Sequence, residues 1–90
     1  MTVHDLKCIE PWFEYCCSGA KPFEVRKNDR DFQKGDIITL HQFDPHQPKA
    51  AGNGYTGRSA SFEITIVLDY EDAKGIQAGY VVLGLKEFEP

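Results

Sequence analysis

Five segments of this chain are strand-like and only one short segment is helical, and this ratio constrains the fold more than any other feature. Apolar and polar side chains alternate, or apolar ones run almost continuously, where strands are predicted: residues 2–9, 22–27, 37–43, 61–70 and 79–88. The helix opens at Pro11 and is barely two turns long before Gly19 ends it. One such helix cannot cover a flat five-stranded sheet. We therefore predict a mainly β, α+β fold in which the sheet curls into a small barrel with the helix at one end.

The fourth and fifth predicted strands have the clearest patterns. In the fourth, five apolar side chains share one face: Phe62, Ile64, Ile66, Leu68 and Tyr70. Gly84 interrupts the nearly apolar fifth strand and indicates a bend or bulge there. Residues 44–57, which are rich in glycine and proline, are predicted to form one long loop, and such loops are often functional.

Length and charge limit the classes of partner. Ninety residues suffice for a single domain spanning residues 1–90. The net charge of −4 disfavours binding to long duplex DNA, because proteins that grip duplex nonspecifically carry a positive excess. The longest apolar run, residues 64–68, is far shorter than the about 20 residues that a membrane span needs. Since no secretory signal opens the chain, we expect a cytoplasmic protein that does not enter membranes.

The metal-binding residue types are too sparse to indicate a metal site or a redox cofactor. An odd number of cysteines suits a reducing compartment; they are Cys8, Cys16 and Cys17. No Cys-x-x-Cys or His-x-x-x-His spacing occurs, so no metal is predicted. No Gly-x-Gly-x-x-Gly loop occurs, so no cofactor is predicted. The scattered histidines are interpreted as ordinary surface or half-buried side chains; they are His4, His41 and His46.

The segment that leads from the helix into the second strand carries the most chemical information. Glu24 and Arg26 lie on one face of that strand, about 6.6 Å apart. Lys21 precedes them in the turn. Two cations and one carboxylate in this arrangement can hold a planar polar ligand, because arginine offers a rigid fork to phosphate or to a base edge and a carboxylate accepts from an amino group. The alternative is a surface ion pair of little energetic value.

The spacing Gly-x-Lys-x-x-Glu-x-Arg, formed here by Gly19, Lys21, Glu24 and Arg26, resembles the signature of the ASCH domain, a branch of the PUA-like superfamily. Residues 23–36, which include the turn glycine Gly35, are similar to a small group of bacterial and phage ASCH-like proteins. Further similar segments are residues 55–58, 66–70 and 79–83. The resemblance therefore covers most of the chain.

This resemblance implies a fold and a site. The fold is a PUA-like/ASCH β-barrel of about five to six strands with one short helix before the signature strand. The site is a cleft between barrel and helix that binds RNA or a nucleotide. Lys21, Glu24 and Arg26 would face this cleft, and Gly19 would have a structural role. The residues that follow would form the rim of the cleft, namely Asn28, Asp29 and Arg30.

The resemblance leaves binding and catalysis open. Some ASCH-like proteins are small amidohydrolases or ribonucleases, and the amidohydrolases are similar to this chain at Gly19, Lys21 and Arg26 but have threonine in place of Glu24. A lysine beside a carboxylate is held charged and is a poor general base. Binding is therefore favoured, with Lys21 and Glu24 as the catalytic candidates if a reaction occurs.

Tyr55, in the predicted long loop, and Arg58, just after it, add to the candidate site. Tyr55 and Arg58 would close over a bound nucleotide from this loop, or would only anchor the loop. An aromatic ring that stacks on a base contributes about 1–3 kcal/mol.

A protein-interaction module is the remaining alternative for the function of this chain, since fold does not determine function.

Overall fold

The computed structural model describes residues 1–46 and 53–89. The elements follow in the order β1 (Val3–Ile9), α1 (Trp12–Ser18), β2 (Phe23–Lys27), β3 (Ile37–Phe43), β4 (Tyr55–Leu68) and β5 (Tyr80–Glu87). Over the described residues, the prediction of five strands and one short helix is confirmed. No helix among the described residues is both long enough and apolar enough to cross a membrane.

The five strands form one sheet in the order β1-β3-β4-β5-β2. β1 runs parallel to β3, and all the other neighbours are antiparallel. The predicted mainly β architecture is therefore present as a curled half-barrel, whose two edge strands are β1 and β2. These edges carry the first predicted strand and the strand with the candidate site residues.

Two arginine side chains bridge the open side of the half-barrel. Nη2 of Arg26 donates to the carbonyl oxygen of Lys7 at 2.7 Å, and Nη1 of Arg30 donates to the carbonyl oxygen of Asp5 at 2.9 Å. Both carbonyls belong to β1, which no strand covers on that side. Bare edges of this kind invite pairing with another chain, and charged side chains on them prevent it.

The core fills the concave side of the sheet. Its members alternate along each strand with outward residues, as a half-covered sheet requires; they include Leu6, Cys8, Ile38, Leu40, Phe62, Ile64, Val81 and Leu83. The helix contributes Phe13 and Cys16 to this core. Seven residues are too few for helical propensity alone, so this packing holds α1 in place.

The predicted loop of residues 44–57 is wrong at its C-terminal end. β4 begins at Tyr55, six residues before the predicted strand, and pairs with β3 through Phe43. The sequence from Tyr55 onward contains Gly57 and small polar side chains and is mostly exposed, so it lacks the apolar alternation that marks a buried strand. Part of the predicted loop, residues 47–52, lies outside the described residues.

The irregularity predicted at Gly84 is found in the partner strand. The β4–β5 register shifts between Ile64 and Ile66, and Gly84 pairs with Ile66. A Cβ atom on Gly84 would lie 2.6 Å from Cγ2 of Ile66 and 2.7 Å from Oγ1 of Thr65. Glycine therefore leaves the space that the bulge needs.

Gly84→Ala is expected to lower the free energy of unfolding by about 1–2 kcal/mol, because overpacking forces neighbouring side chains off their rotamers. The matched control is Gly75→Ala, where an added Cβ meets no atom within 4 Å. Thermal denaturation followed by circular dichroism measures both changes. Equal melting temperatures for the two variants would contradict the role of Gly84.

Candidate functional site

The charged face of β2 points into the molecule and its apolar face points out. Glu24 is 4% exposed and Arg26 is half-buried, whereas Phe23 is 42% exposed and Val25 is 54% exposed. Soluble strands normally show the opposite arrangement. A buried carboxylate is costly unless it is paired, so this inversion needs compensating partners.

Lys21 and Arg26 are those partners. Nζ of Lys21 donates to Oε1 of Glu24 at 2.6 Å, and Nε of Arg26 donates to Oε2 of Glu24 at 2.9 Å. Each carboxylate oxygen thus accepts from one cation. The three signature side chains that the sequence indicated are therefore brought together, as one ion-pair network.

The end of α1 places Lys21 beside β2. Gly19 closes the helix with φ +84°, the left-handed conformation that glycine adopts without strain. The amide of Lys21 then donates to the carbonyl oxygen of Tyr15 at 3.0 Å, which brings the chain back along the helix. Nζ of Lys21 also donates to the carbonyl oxygen of Phe23 at 3.0 Å, so this ammonium is held on both sides.

Two of the three nitrogen atoms of the Arg26 guanidinium are hydrogen-bonded within the protein. Its Nε is bound to Glu24 and its Nη2 to the carbonyl of Lys7. Within the described residues no hydrogen bond involves its Nη1. Arg26 therefore holds donors ready in a preset orientation, which is the requirement for recognising a planar or anionic group.

A hollow of about 560 Å³ opens beside this network, between the two edge strands. We call it the first hollow; it is lined by Lys7, Cys8, Ile9, Trp12, Lys21, Phe23, Glu24, Val25 and Arg26. Its volume falls within the range of small-molecule sites. Trp12 is 47% exposed and forms part of its wall.

The two thiols next to the network are buried, and their pKa values are raised. Burial raises the pKa of Cys8 to about 12, with a further contribution from the charge of Glu24. Burial also raises the pKa of Cys16 to about 11, and Sγ of Cys16 lies 3.7 Å from Oε1 of Glu24. Both groups stay protonated near neutral pH and serve as packing groups.

The other signature-derived residues lie outside the first hollow. Asn28 lines a different hollow, together with Phe32, and its amide donates to the carbonyl oxygen of Gly79 at 2.9 Å. The amide of Asp29 donates to the carbonyl oxygen of Lys27 at 2.9 Å. Arg30 bridges to β1, as described above.

Gly35, the predicted turn glycine, has φ +92°, and its amide donates to the carbonyl oxygen of Ile64 at 2.8 Å.

Tyr55 and Arg58 are not on a loop but on β4, where they line a second hollow of about 340 Å³.

Two histidine–aspartate pairs were not recognised in the sequence. His4 is buried, and its Nε2 lies 2.9 Å from Oδ2 of Asp36, so the interpretation of His4 as a surface or half-buried side chain is wrong. Its position in the alternation of β1 is the signal that would have placed it inside. His41 pairs with Asp5 at 2.9 Å on the outer surface. No group of three potential metal ligands occurs in the part of the chain that the structure describes.

Comparison with known proteins places the chain in a family. A protein of Escherichia phage P2, described as "Uncharacterized 12.9 kDa protein in GpA 3'region", is 31% identical over 70 residues. That match covers 78% of this chain and 58% of the relative, so the chain spans a little over half of the relative's length. The family described as domain of unknown function DUF3850 matches residues 3–85. With nearly its whole length matched, the chain belongs to the DUF3850 family.

Proposed function

We propose that the first hollow binds a nucleotide or a short single-stranded RNA. The observation that carries this proposal is the state of Arg26, whose guanidinium is immobilised by Glu24 and by the backbone of Lys7 while its Nη1 is left over. A preset guanidinium fork suits a phosphate or the edge of a base. Because the fork is already ordered, binding costs little side-chain entropy.

Local charge and shape support an anionic, planar ligand. Lysine or arginine occupies three positions of the first hollow, and a carboxylate occupies only one, although the whole chain has a net charge of −4. Trp12 supplies a half-exposed ring on which a base can stack, a contact of about 1–3 kcal/mol. Positive charge beside an aromatic surface is typical of single-strand binding.

Glu24 has a positioning role in this proposal. Both of its oxygens already accept from cations, and it is nearly inaccessible. It therefore orients Lys21 and Arg26 instead of contacting the ligand. Nζ of Lys21 donates to a carboxylate and to a carbonyl oxygen, so it serves as a hydrogen-bond donor. The arrangement favours binding over general-base hydrolysis.

We also infer that the half-barrel is a PUA-like fold of ASCH type. The helix α1 directly precedes β2, and β2 carries the signature residues, as the resemblance implies. This inference supports RNA or a nucleotide as the ligand class. It rests on the resemblance of residues 19–26 and 23–36.

The test is a titration of the protein with 5′-mononucleotides and short RNAs, compared with Arg26→Gln and Arg30→Gln. Both arginines donate to a carbonyl of β1, but only Arg26 lines the first hollow. We expect Arg26→Gln to weaken binding at least about tenfold, because a hydrogen bond to a charged group contributes about 1.5–3 kcal/mol.

Arg30→Gln should change affinity less than about twofold. It removes the hydrogen bond from Arg30 to the carbonyl of Asp5, and Arg30 does not line the first hollow. Melting curves of both variants show whether the fold is retained. Equal affinities for wild type and Arg26→Gln, or equal losses in the two variants, would remove the assigned site.

A further inference from the structure

The second hollow lies on the other side of β1 from the first hollow, and Lys7 lines both. The side chains of the second hollow that matter here are those of Asp5, Lys7, His41, Tyr55 and Arg58. β1 thus has a cavity on each flank, and Lys7 is common to the two.

The common residue is available for a ligand. Nζ of Lys7 lies 4.3 Å from the centre of the Phe43 ring. Within the described residues it has no carboxylate within 4.0 Å. A cation that rests on an aromatic face and lacks an anionic partner can move to a phosphate at small cost.

The second hollow offers the same kinds of group as the first. Tyr55 is half-exposed, and its ring meets the Phe43 ring edge-on at 5.2 Å, so the phenol ring is held in place by packing. Arg58 lies over the Phe13 ring at 5.3 Å and pairs with Glu14. The second hollow therefore has an ordered aromatic ring on its wall and a cation that is held against α1.

The combined charge favours a polyanion over a single nucleotide. Four cationic side chains and two carboxylates line the two hollows, so this surface is positive on an acidic chain. From Asp5 to Ile9, β1 runs about 13 Å along both hollows. A ligand with phosphates repeated along its length can use this whole run.

We propose that the two hollows form one track for single-stranded RNA of two or more nucleotides. This inference rests on the proposed function of the first hollow and extends it. One nucleotide occupies the first hollow, Lys7 contacts the phosphate that follows, and the next base stacks on Tyr55. The carboxylate of Asp5, of which only Oδ1 is paired with His41, accepts from a ribose 2′-hydroxyl.

The experiment compares a 5′-mononucleotide, an RNA tetranucleotide of mixed sequence and the matching DNA, each titrated by fluorescence anisotropy or calorimetry. We expect the RNA to bind at least about tenfold more tightly than the mononucleotide, and more tightly than the DNA. Lys7→Gln should weaken RNA binding about five- to tenfold and lower the salt dependence by about one phosphate contact, because Lys7 contacts the phosphate between the two hollows. Tyr55→Ala should weaken it at least about fivefold. Tyr55→Ala should leave mononucleotide affinity unchanged, because Tyr55 does not line the first hollow.

Lys74→Gln is the matched control for Lys7→Gln, because Nζ of Lys74 also lies 4.3 Å from the centre of an aromatic ring, that of Tyr70, but Lys74 lines neither hollow. Its RNA affinity should equal that of wild type. If the mononucleotide binds through Arg26 but the RNA binds no more tightly, the track is overturned and the proposed function stands. If neither the mononucleotide nor the RNA binds, both are overturned. Equal affinity for RNA and DNA would overturn the contact of Asp5 with ribose.

Discussion

Glu24→Gln is expected to lower the free energy of unfolding by about 3 kcal/mol. Both oxygens of Glu24 accept from cations, so an amide in this place turns its NH₂ group toward either Lys21 or Arg26. Two positive charges then face each other across a neutral group. The expected loss is at the lower end for buried pairs, because the cationic side chains are 17% and 26% exposed and can turn toward water.

The loss corresponds to a melting temperature about 12–24 °C lower for a chain of this size. Thermal and urea denaturation followed by circular dichroism measure it. The control is Glu71→Gln, which breaks the exposed pair with Lys74 and should leave stability unchanged. If the two substitutions have the same small effect, Glu24 is not the buried centre of the network.

The convergence of Lys21, Glu24 and Arg26 could be predicted from the sequence, but the burial of Glu24 could not. Two-residue spacing places Glu24 and Arg26 on one face, and the structure agrees. Alternation does not say which face of a strand is inside, and Phe23 and Val25 are normally the inward pair. The charged face of β2 is the buried one because β2 lies at the open edge of the curled sheet. β2 has that position because it pairs with β5.

The strands could be predicted wherever one face is apolar and buried. β3, for example, begins and ends at the predicted residues, Ile37 and Phe43. The first half of β4 could not, because its side chains face water and its backbone pairing with β3 leaves no trace in the pattern. The hydrogen bonds from Arg26 and Arg30 to β1 could not be predicted from the sequence either, because they join side chains to carbonyls 19 and 25 residues away.

Asp36→Asn is expected to lower the free energy of unfolding by about 2–3 kcal/mol near neutral pH. Oδ1 of Asp36 accepts from the amide of Thr2, and Oδ2 accepts from the amide of Gln33 and contacts Nε2 of His4. An asparagine has one acceptor oxygen, so in either orientation its NH₂ group faces a backbone donor. The pair is buried, and water cannot replace the lost bond.

The matched control is Asp69→Asn. One oxygen of Asp69 accepts from the amides of both Glu71 and Asp72, so the oxygen of an asparagine can take its place. Chemical denaturation of both variants at neutral pH makes the comparison. Equal stability losses would mean that the two-oxygen geometry of Asp36 is unimportant.

The effect of Asp36→Asn should depend on pH. Burial acts to raise the pKa of Asp36, but the hydrogen bonds from His4, Thr2 and Gln33 outweigh burial and lower it. A carboxyl whose pKa is lower in the folded state stabilises the fold above its unfolded pKa of about 3.9, and this contribution is lost as the pH falls through the folded value. The stability gap between wild type and Asp36→Asn should therefore narrow as the pH falls below about 4. A gap that stays constant down to acid unfolding would show that Asp36 does not hold its charge through these bonds.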